Sequence, residues 1–209
     1  MGSYGATWEA GGYAGAGSVG ELLGSLAGRP AIICGTAAGV FGEMEYALRQ
    51  APDAVIFGVN DVGMFLPRME HWVSLHTDHL GAWKAVRWLQ GRAQEKTQYH
   101  GVDPRPFLDH DWSSLRPLFA LSGYFAMQIA YLMDAAPIIL CGCPGSAAPR
   151  FFEAEARTDF GYGSGTAGSE SGVREQLERE MTRLPDFKAR VRSQSGWTRE
   201  LFSPIGRGG

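Results

Sequence analysis

The stretch Ala31-Ile-Ile-Cys-Gly-Thr-Ala-Ala-Gly39 decides the fold of this chain. Its four apolar residues lie between Pro30 and Gly35 and show no alternation with polar residues, which is typical of a strand buried on both faces. A glycine-bounded turn follows, and residues 41–50 then have the composition of a helix that ends before Pro52. A buried strand, a turn and a helix in this order predict the first unit of a parallel sheet.

The same alternation recurs along the chain. Further buried strands are predicted at residues 54–57 (continuing to 60), 71–75 and 137–141, and helices at 80–90 and 122–134. Strands of this kind, interleaved with helices, require a sheet that is covered on both faces. The predicted fold class is therefore α/β: a Rossmann-like, doubly wound, mostly parallel sheet flanked by helices.

Three other segments have a clear local character. In the helix at 80–90, the side chains of Trp83, Ala85, Val86 and Leu89 are expected to face the protein, with Lys84 and Arg87 facing solvent. Residues 103–118 contain three prolines and several charges, which predicts a long loop. Residues 173–184 predict a highly charged, solvated helix.

At 209 residues the chain is long enough for one sizeable core and too short for two independent ones. We expect residues 1–29 to form a glycine-rich arm with a short helix, 30–201 a single nucleotide-binding domain, and 202–209 a flexible tail. Residues 161–172 are rich in glycine and serine and are expected to be mobile. The sequence is compatible with a homo-oligomer.

Composition excludes several classes of protein. Hydrophobic residues make up 44% and charged residues 20%, which is ordinary for a globular protein. The formal net charge of -3 makes nucleic acid an unlikely partner. No apolar stretch approaches the roughly 20 residues of a membrane span. Three cysteines cannot build a disulfide framework, so we expect a cytoplasmic protein.

In a doubly wound sheet, ligands bind beyond the carboxyl ends of the strands. The turn after the first strand, with Gly35 and Thr36, is a candidate for phosphate or ribose contact, since backbone amides at a helix start favour anions. After the second strand, Asn60 can bind a base or ribose through its donor and acceptor atoms, whereas Asp61 is expected to cap the next turn.

The third strand ends in His76-Thr-Asp-His79. Imidazole and carboxylate are good ligands for divalent ions, but adjacent side chains of an extended segment point in opposite directions. A complete metal site would need ligands from elsewhere, such as His100 or His110. Helix capping by Asp78 is the alternative.

The fourth strand ends in Cys141-Gly-Cys-Pro-Gly145, a sharp turn that would let the chain pass close to a ligand at Cys143. Before its partner helix stands Ser122-Gly123. Ser122 is a good N-cap, and the amides that follow form a second helix start that can receive an anion.

Taken together, these motifs resemble one superfamily. The runs are 32–36 (Ile-Ile-Cys-Gly-Thr), 58–60 (Gly-Val-Asn), 73–78 (Val-Ser-Leu-His-Thr-Asp), 122–130 (Ser-Gly-Tyr-Phe-Ala-Met-Gln-Ile-Ala) and 138–144 (Ile-Ile-Leu-Cys-Gly-Cys-Pro). They are similar to bacterial sialyltransferases of the Campylobacter type and to related motility-accessory and pterin-pyrophosphokinase-like domains. Residues 191–201 resemble uncharacterised phage-encoded members, which implies the host cytoplasm as the location.

The resemblance implies a nucleotide sugar, such as a CMP-sugar, as donor. Its nucleotide would lie over Gly35, Thr36, Asn60 and the helix start at Ser122 and Gly123. The family has an acidic residue and aromatics at the end of the fourth strand, where this chain has Cys143 and Pro144. An arginine, Arg192 or Arg150, would hold the donor phosphate. The family's base is a histidine further along the chain, and no histidine follows His110 here.

The predicted function is therefore a glycosyltransferase-like activity on an unknown acceptor hydroxyl, with His100, His110 or Asp78 as the base. An alternative is a diphosphate transfer of the pyrophosphokinase kind, which would need Mg²⁺ held by carboxylates such as Asp61 and Asp78. The second alternative is a non-catalytic nucleotide-binding or virion-associated module.

Overall fold

The computed structural model describes residues 19–92, 96–113, 121–146, 148–152, 170–184 and 186–206. The strands are β1 Ala31–Cys34, β2 Val55–Val59, β3 His71–Val73, β4 Gln98–Gly101, β5 His110–Asp111, β6 Ile138–Cys141 and β7 Val191–Ser193. The helices are α1 Val40–Gln50, α2 Thr77–Leu89, α3 Ser122–Leu132, α4 Glu170–Arg183, α5 Phe187–Arg190 and α6 Thr198–Phe202, with 3-10 helices at Val19–Leu22 and Asn60–Met64.

All seven strands form one parallel sheet in the order β5-β4-β3-β2-β1-β6-β7. The predicted fold class, a Rossmann-like α/β sheet flanked by helices, is confirmed. The chain adds strands outward from β1 to β5 and then returns through α3 to pair β6 on the other side of β1. That reversal places the topological switch point between β1 and β6. At such a point the connections that leave the two neighbouring strands run to opposite faces of the sheet.

Two hydrophobic clusters cover the two faces of the sheet. One contains Ile33 and Phe57 of the central strands together with α3, α4 and α5. The other contains Ile32 and Ile56, which point the opposite way, together with α1 and α2. Successive strand residues therefore enter different clusters, which explains why the central strands are apolar at every position.

The four strands predicted from apolar runs are confirmed, and three strands were missed. β4 is Gln-Tyr-His-Gly, β7 is Val-Arg-Ser, and β5 has only two residues within the segment 103–118 that was predicted to be a loop throughout. These strands lie toward or at the edges of the sheet. Edge positions need less apolar sequence, so they leave a weak pattern.

The predicted orientation of α2 is wrong in part. Arg87 is only 2% exposed, whereas Val86 is 38% and Leu89 75% exposed. The Arg87 guanidinium is buried because its Nη1 donates to the carbonyls of Gly63 and Leu66, both at 2.7 Å. These two bonds offset part of the cost of burying the guanidinium, whose Nε and Nη2 have no hydrogen-bond partner in the described chain.

The arm at 1–17 and residues 161–169 of the glycine-rich segment lie outside the described residues. Residues 170–172 begin α4. At the other end, Phe202 is 2% exposed and packs in the α3-side cluster. Within the described chain, no helix is both long and apolar enough to span a bilayer.

Candidate functional site

The ends of β1 and β6 approach each other closely at the switch point. The Gly35 amide donates to the Cys141 carbonyl at 2.7 Å. A Cβ atom at Gly35 would lie 2.3 Å from the Gly142 oxygen and 2.6 Å from the Cys143 Sγ. Glycine is required here because only a chain without a side chain lets the two strand ends meet.

Three amides of this turn, those of Gly35, Ala37 and Ala38, are hydrogen-bonded within the protein itself. Ala37 donates to the Gly142 carbonyl at 3.2 Å and Ala38 to the Pro149 carbonyl at 2.9 Å. Thr36 accepts at its carbonyl from the amide of Phe151 at 2.9 Å. Together with the bonded Gly35 amide, these contacts do not favour the phosphate cradle predicted for residues 35–39.

Asn60 follows β2 with a φ of 52°, a left-handed conformation that asparagine tolerates better than most residues. Its Oδ1 accepts a hydrogen bond from the Ser74 hydroxyl at 2.9 Å, and its carbonyl accepts from Trp72 Nε1 at 2.7 Å. Ser74 Oγ accepts in turn from the His76 amide at 2.8 Å. Asn60 therefore joins the carboxyl ends of β2 and β3.

Ser122 was predicted to cap α3, and the structure gives it another role. It is the first residue of the helix, and the N-cap is Leu121, whose side chain makes no capping hydrogen bond. The Ser122 hydroxyl instead accepts from the Leu75 amide at 3.2 Å. The next residue, Gly123, lies against β6, because a Cβ there would be 3.1 Å from Cys143 Sγ.

Arg150 contacts the residues that follow β1 and β2. Its Nη1 lies 3.3 Å from Asp61 Oδ2, with the Arg150 side chain 21% and the Asp61 side chain 9% exposed. The backbone of Arg150 bridges that of Ala37 in antiparallel fashion. Asp61 therefore pairs with a cation, rather than serving mainly as the predicted cap.

These contacts join the carboxyl ends of four strands and the start of α3 in a ring, which we call the edge cluster. It consists of Gly35, Thr36, Asn60, Asp61, Ser74, Leu75, Ser122, Gly123, Cys143 and Arg150. Six of the seven residues predicted to bind the ligand belong to it. Convergence follows from the parallel sheet, since all strand ends of one direction lie at one edge.

His76 lies beside the edge cluster, three residues after the end of β3. Its pKa is lowered first by desolvation on burial, then by the neighbouring His79, and also by Arg150, while Asp78 acts in the opposite direction. The imidazole is therefore neutral at neutral pH and competent to accept a proton. His76 was weighed from the sequence only as a metal ligand.

The histidines predicted as catalytic bases lie elsewhere. His100 is 0% and His110 7% exposed, and their rings stack at 4.9 Å between centroids. His71 joins them through a 2.9 Å contact between its Nδ1 and His100 Nε2. A group enclosed in this way cannot reach an acceptor hydroxyl without rearrangement of the core, which does not favour His100 or His110 as the base.

The hydrogen bonds of this histidine cluster define its tautomers. Trp112 Nε1 can only donate, and it lies 3.1 Å from His100 Nδ1, which therefore accepts. His100 then carries its proton on Nε2 and donates it to His71 Nδ1. Desolvation, followed by the neighbouring His110, lowers the pKa of His71 to about 3. Desolvation and both neighbouring histidines hold the pKa of His100 well below its usual range.

Two further predicted site residues lie outside the edge cluster. Asp78 is exposed in the first turn of α2, whose N-cap is His76 without a side-chain cap. Asp78 is thus the second residue of the helix, two positions after the N-cap, and does not hold the capping position predicted for it. Arg192 pairs with Ile139 along β7, and its guanidinium donates to the carbonyls of Ala189 and Val191. These contacts direct Arg192 toward the amino end of its strand, whereas Arg150 lies at the carboxyl ends of β1 and β2.

Glu43 and Ser195 support the edge cluster and were missed from the sequence. Glu43 Oε2 accepts from the Gly142 amide at 2.7 Å and from the Ser195 hydroxyl. Ser195 Oγ also accepts from the Cys143 amide at 3.2 Å. Glu43 is 99 residues from Gly142 and 152 from Ser195, and no local motif connects them.

The three thiols are structural in this arrangement. Cys34, Cys141 and Cys143 are free and buried. Burial, with the nearby Glu43, raises the pKa of Cys143 to about 12, so it is a protonated thiol rather than a thiolate. Across the described residues, no group of three or more His, Cys, Asp or Glu side chains is arranged to hold a metal ion.

Comparison with protein-family models, with curated proteins and with solved structures finds no match to this chain.

Proposed function

We propose that this protein is a glycosyltransferase-like enzyme that binds a nucleotide sugar at the edge cluster and transfers the sugar to an acceptor hydroxyl. The resemblance of the strand-end motifs to sialyltransferases supports a CMP-sugar as donor. The observation that carries the proposal is the position of Arg150, whose guanidinium lies 3.3 Å from Asp61 at the edge where the strand ends and the start of α3 meet.

Phosphate binding is supported by two groups that the fold brings to one edge. Arg150 supplies a cation with several donors, and an Arg–phosphate contact is a strong charge-assisted interaction. The start of α3 adds the positive end of a helix dipole at Ser122 and Gly123, and the side chain of its N-cap residue, Leu121, makes no capping hydrogen bond. A phosphate between them would be held from both sides.

Recognition of the nucleoside is supported by Asn60. Its Oδ1 is engaged by Ser74, which orients the side chain and leaves the amide nitrogen as the donor for a base or ribose. Within the described residues, Asn60 Nδ2 has no protein acceptor.

The transfer step assigns His76 the role of base. Its neutral imidazole takes the proton of the acceptor hydroxyl, and the oxygen's electron pair forms the new bond to the anomeric carbon of the sugar. The bond between that carbon and the donor phosphate breaks, and the leaving phosphate takes both electrons. Arg150 stabilises the negative charge that develops there.

Binding is tested by thermal shift with CMP, UDP, ADP and NAD, each with and without Mg²⁺. CMP is expected to raise the melting temperature without metal, and Arg150→Gln is expected to abolish the shift. Arg49→Gln is the matched control, because Arg49 is an exposed arginine on α1 that pairs with Glu45 and lies over the Tyr46 ring, both on its own helix. A normal shift in Arg150→Gln would refute the site.

Transfer is tested with a CMP-sugar and a panel of hydroxyl acceptors, following release of CMP. We expect His76→Gln to bind CMP normally and to lose turnover, whereas His100→Gln, if folded, keeps it. A strict requirement for ATP and Mg²⁺ would instead support diphosphate transfer. The absence of a thermal shift with every nucleotide would overturn the proposal and would support a non-catalytic module.

A further inference from the structure

The outer face of α2 carries a continuous apolar stripe, which we call the outer stripe: Ala82, Ala85, Val86 and Leu89. All four residues are exposed, Leu89 by 75%. Their spacing of three, four and seven residues places them on one side of the helix. Helices normally turn a stripe with this spacing toward a packing partner.

The outer stripe is separate from the contacts that hold α2 in the fold. The helix is anchored on its other side by Thr77, Leu80 and Arg87, which are buried. Trp88 flanks the stripe and is 67% exposed. The helix therefore has two packing faces, of which the described chain covers one.

We propose that the outer stripe is a dimer interface, in which two copies of this chain pack α2 against α2 in antiparallel orientation. The two-fold axis passes between Ala85 and Val86. A contact of this kind uses the same patch on both copies, so the patch must be complementary to itself.

Side-chain size supplies that complementarity. With the axis between Ala85 and Val86, Leu89 lies opposite Ala82 of the partner subunit, and Val86 lies opposite Ala85 of the partner subunit. Each bulky side chain thus meets a small one, which lets the two helices approach closely. A parallel arrangement in register would place Leu89 against the partner's Leu89 and leave the alanines facing each other.

Charge favours the same orientation. Asp78 is exposed in the first turn of α2, and Arg92 is exposed just beyond its last turn. Antiparallel packing brings Asp78 close to Arg92 of the partner subunit at both ends of the interface, whereas parallel packing would bring like charges together. One Arg92 nitrogen donates to the Phe65 carbonyl at 2.6 Å, and a guanidinium has further donors for a carboxylate.

The expected dimer is concentration-dependent rather than permanent. α2 has 13 residues and is about 20 Å long. A contact centred on one helix pair is smaller than the roughly 800 Å² per partner of a standard interface.

Sedimentation equilibrium of the full chain tests the proposal directly. We expect the wild type to dimerise with rising concentration and Leu89→Glu to weaken dimerisation by more than about tenfold. Leu23→Glu is the matched control, because Leu23 is an exposed leucine (49%) outside α2 and its change should leave the dimer intact. A wild type that stays monomeric, or a dimer that Leu89→Glu does not affect, overturns the proposal.

Cysteine cross-linking tests the orientation. Ala85→Cys lies next to the axis and is expected to form a disulfide between two copies under oxidising conditions, while the native cysteines are buried. His79→Cys would lie about 20 Å along the axis from its counterpart and should not cross-link. Cross-linking of His79→Cys without Ala85→Cys overturns the antiparallel pairing. Dimerisation only after removal of residues 1–18 would show that this chain's own arm covers the outer stripe, and would also overturn the proposal.

Discussion

Acid should destabilise this protein through its buried histidines. The pKa of His71 is about 3 in the folded chain, whereas an unfolded histidine titrates near 6.5. Because the unfolded state binds the proton more readily, the contribution of His71 is fully present above about pH 6.5 and is lost as the pH falls toward 3. At about 1.4 kcal/mol per pH unit, the loss from His71 alone reaches about 2 kcal/mol at pH 5.

His100 should add to this loss in the same direction. It is fully buried, and its pKa is also held well below the usual range. The loss from His71 alone is already a sizeable part of the roughly 5–15 kcal/mol by which a domain is stable. Protonating His100 at Nδ1 would also break its hydrogen bond with Trp112.

The assay is urea unfolding at about pH 7.5 and pH 5, in wild type and His71→Asn. The asparagine oxygen can replace Nδ1 as the acceptor for His100, and it does not titrate. The variant should lose about 2 kcal/mol less than wild type between the two pH values. Exposed His79→Asn is the control and should behave as wild type. Equal losses in wild type and His71→Asn would refute the reasoning.

Two further predictions concern packing at the strand ends, each measured by chemical denaturation. Gly35→Ala should destabilise the protein by more than about 2 kcal/mol, because the new Cβ would lie 2.3 Å from a backbone oxygen that cannot move freely. Gly42→Ala, in helix α1 with nothing within 4 Å, should instead stabilise it by about 0.5–1 kcal/mol, and an equal effect of the two changes would contradict the close approach of β1 and β6. Thr198→Val should cost about 1–3 kcal/mol, since the buried hydroxyl contacts the carbonyls of Cys143 at 3.0 Å and Ser195 at 2.8 Å. Thr182→Val on the exposed side of α4 should change stability by less than about 0.5 kcal/mol, and a comparable loss there would remove the reason given for Thr198.

The candidate site was predictable where it depends on strand direction. Parallel strands end at one edge, so Gly35, Asn60 and Ser122 could be expected to converge without knowledge of any contact. The partners of these residues were not predictable. Ser122 has the composition of an N-cap, but its hydroxyl is bound to the Leu75 amide, a residue 47 positions away.

The burial of each histidine was likewise not predictable from the sequence. His76 and His100 look equally available in the sequence, and only the packed sheet separates them. His100 is enclosed by His71, His110 and Trp112, whereas His76 lies at the edge beside Arg150. Burial depends on which strands become neighbours, and β4 and β5 were not recognised as strands.

The sequence by itself determined the class of fold, since strands that are apolar at every position must be buried on both faces by helices. Tertiary structure alone decided the edge strands, the face that α2 turns to solvent, and the contacts of Glu43, Arg87 and Arg150. The physical reason is distance along the chain. Hydrophobic pattern records the average burial of a segment, whereas a hydrogen bond between residues 99 positions apart, such as that of Glu43 with Gly142, exists only after the sheet has formed.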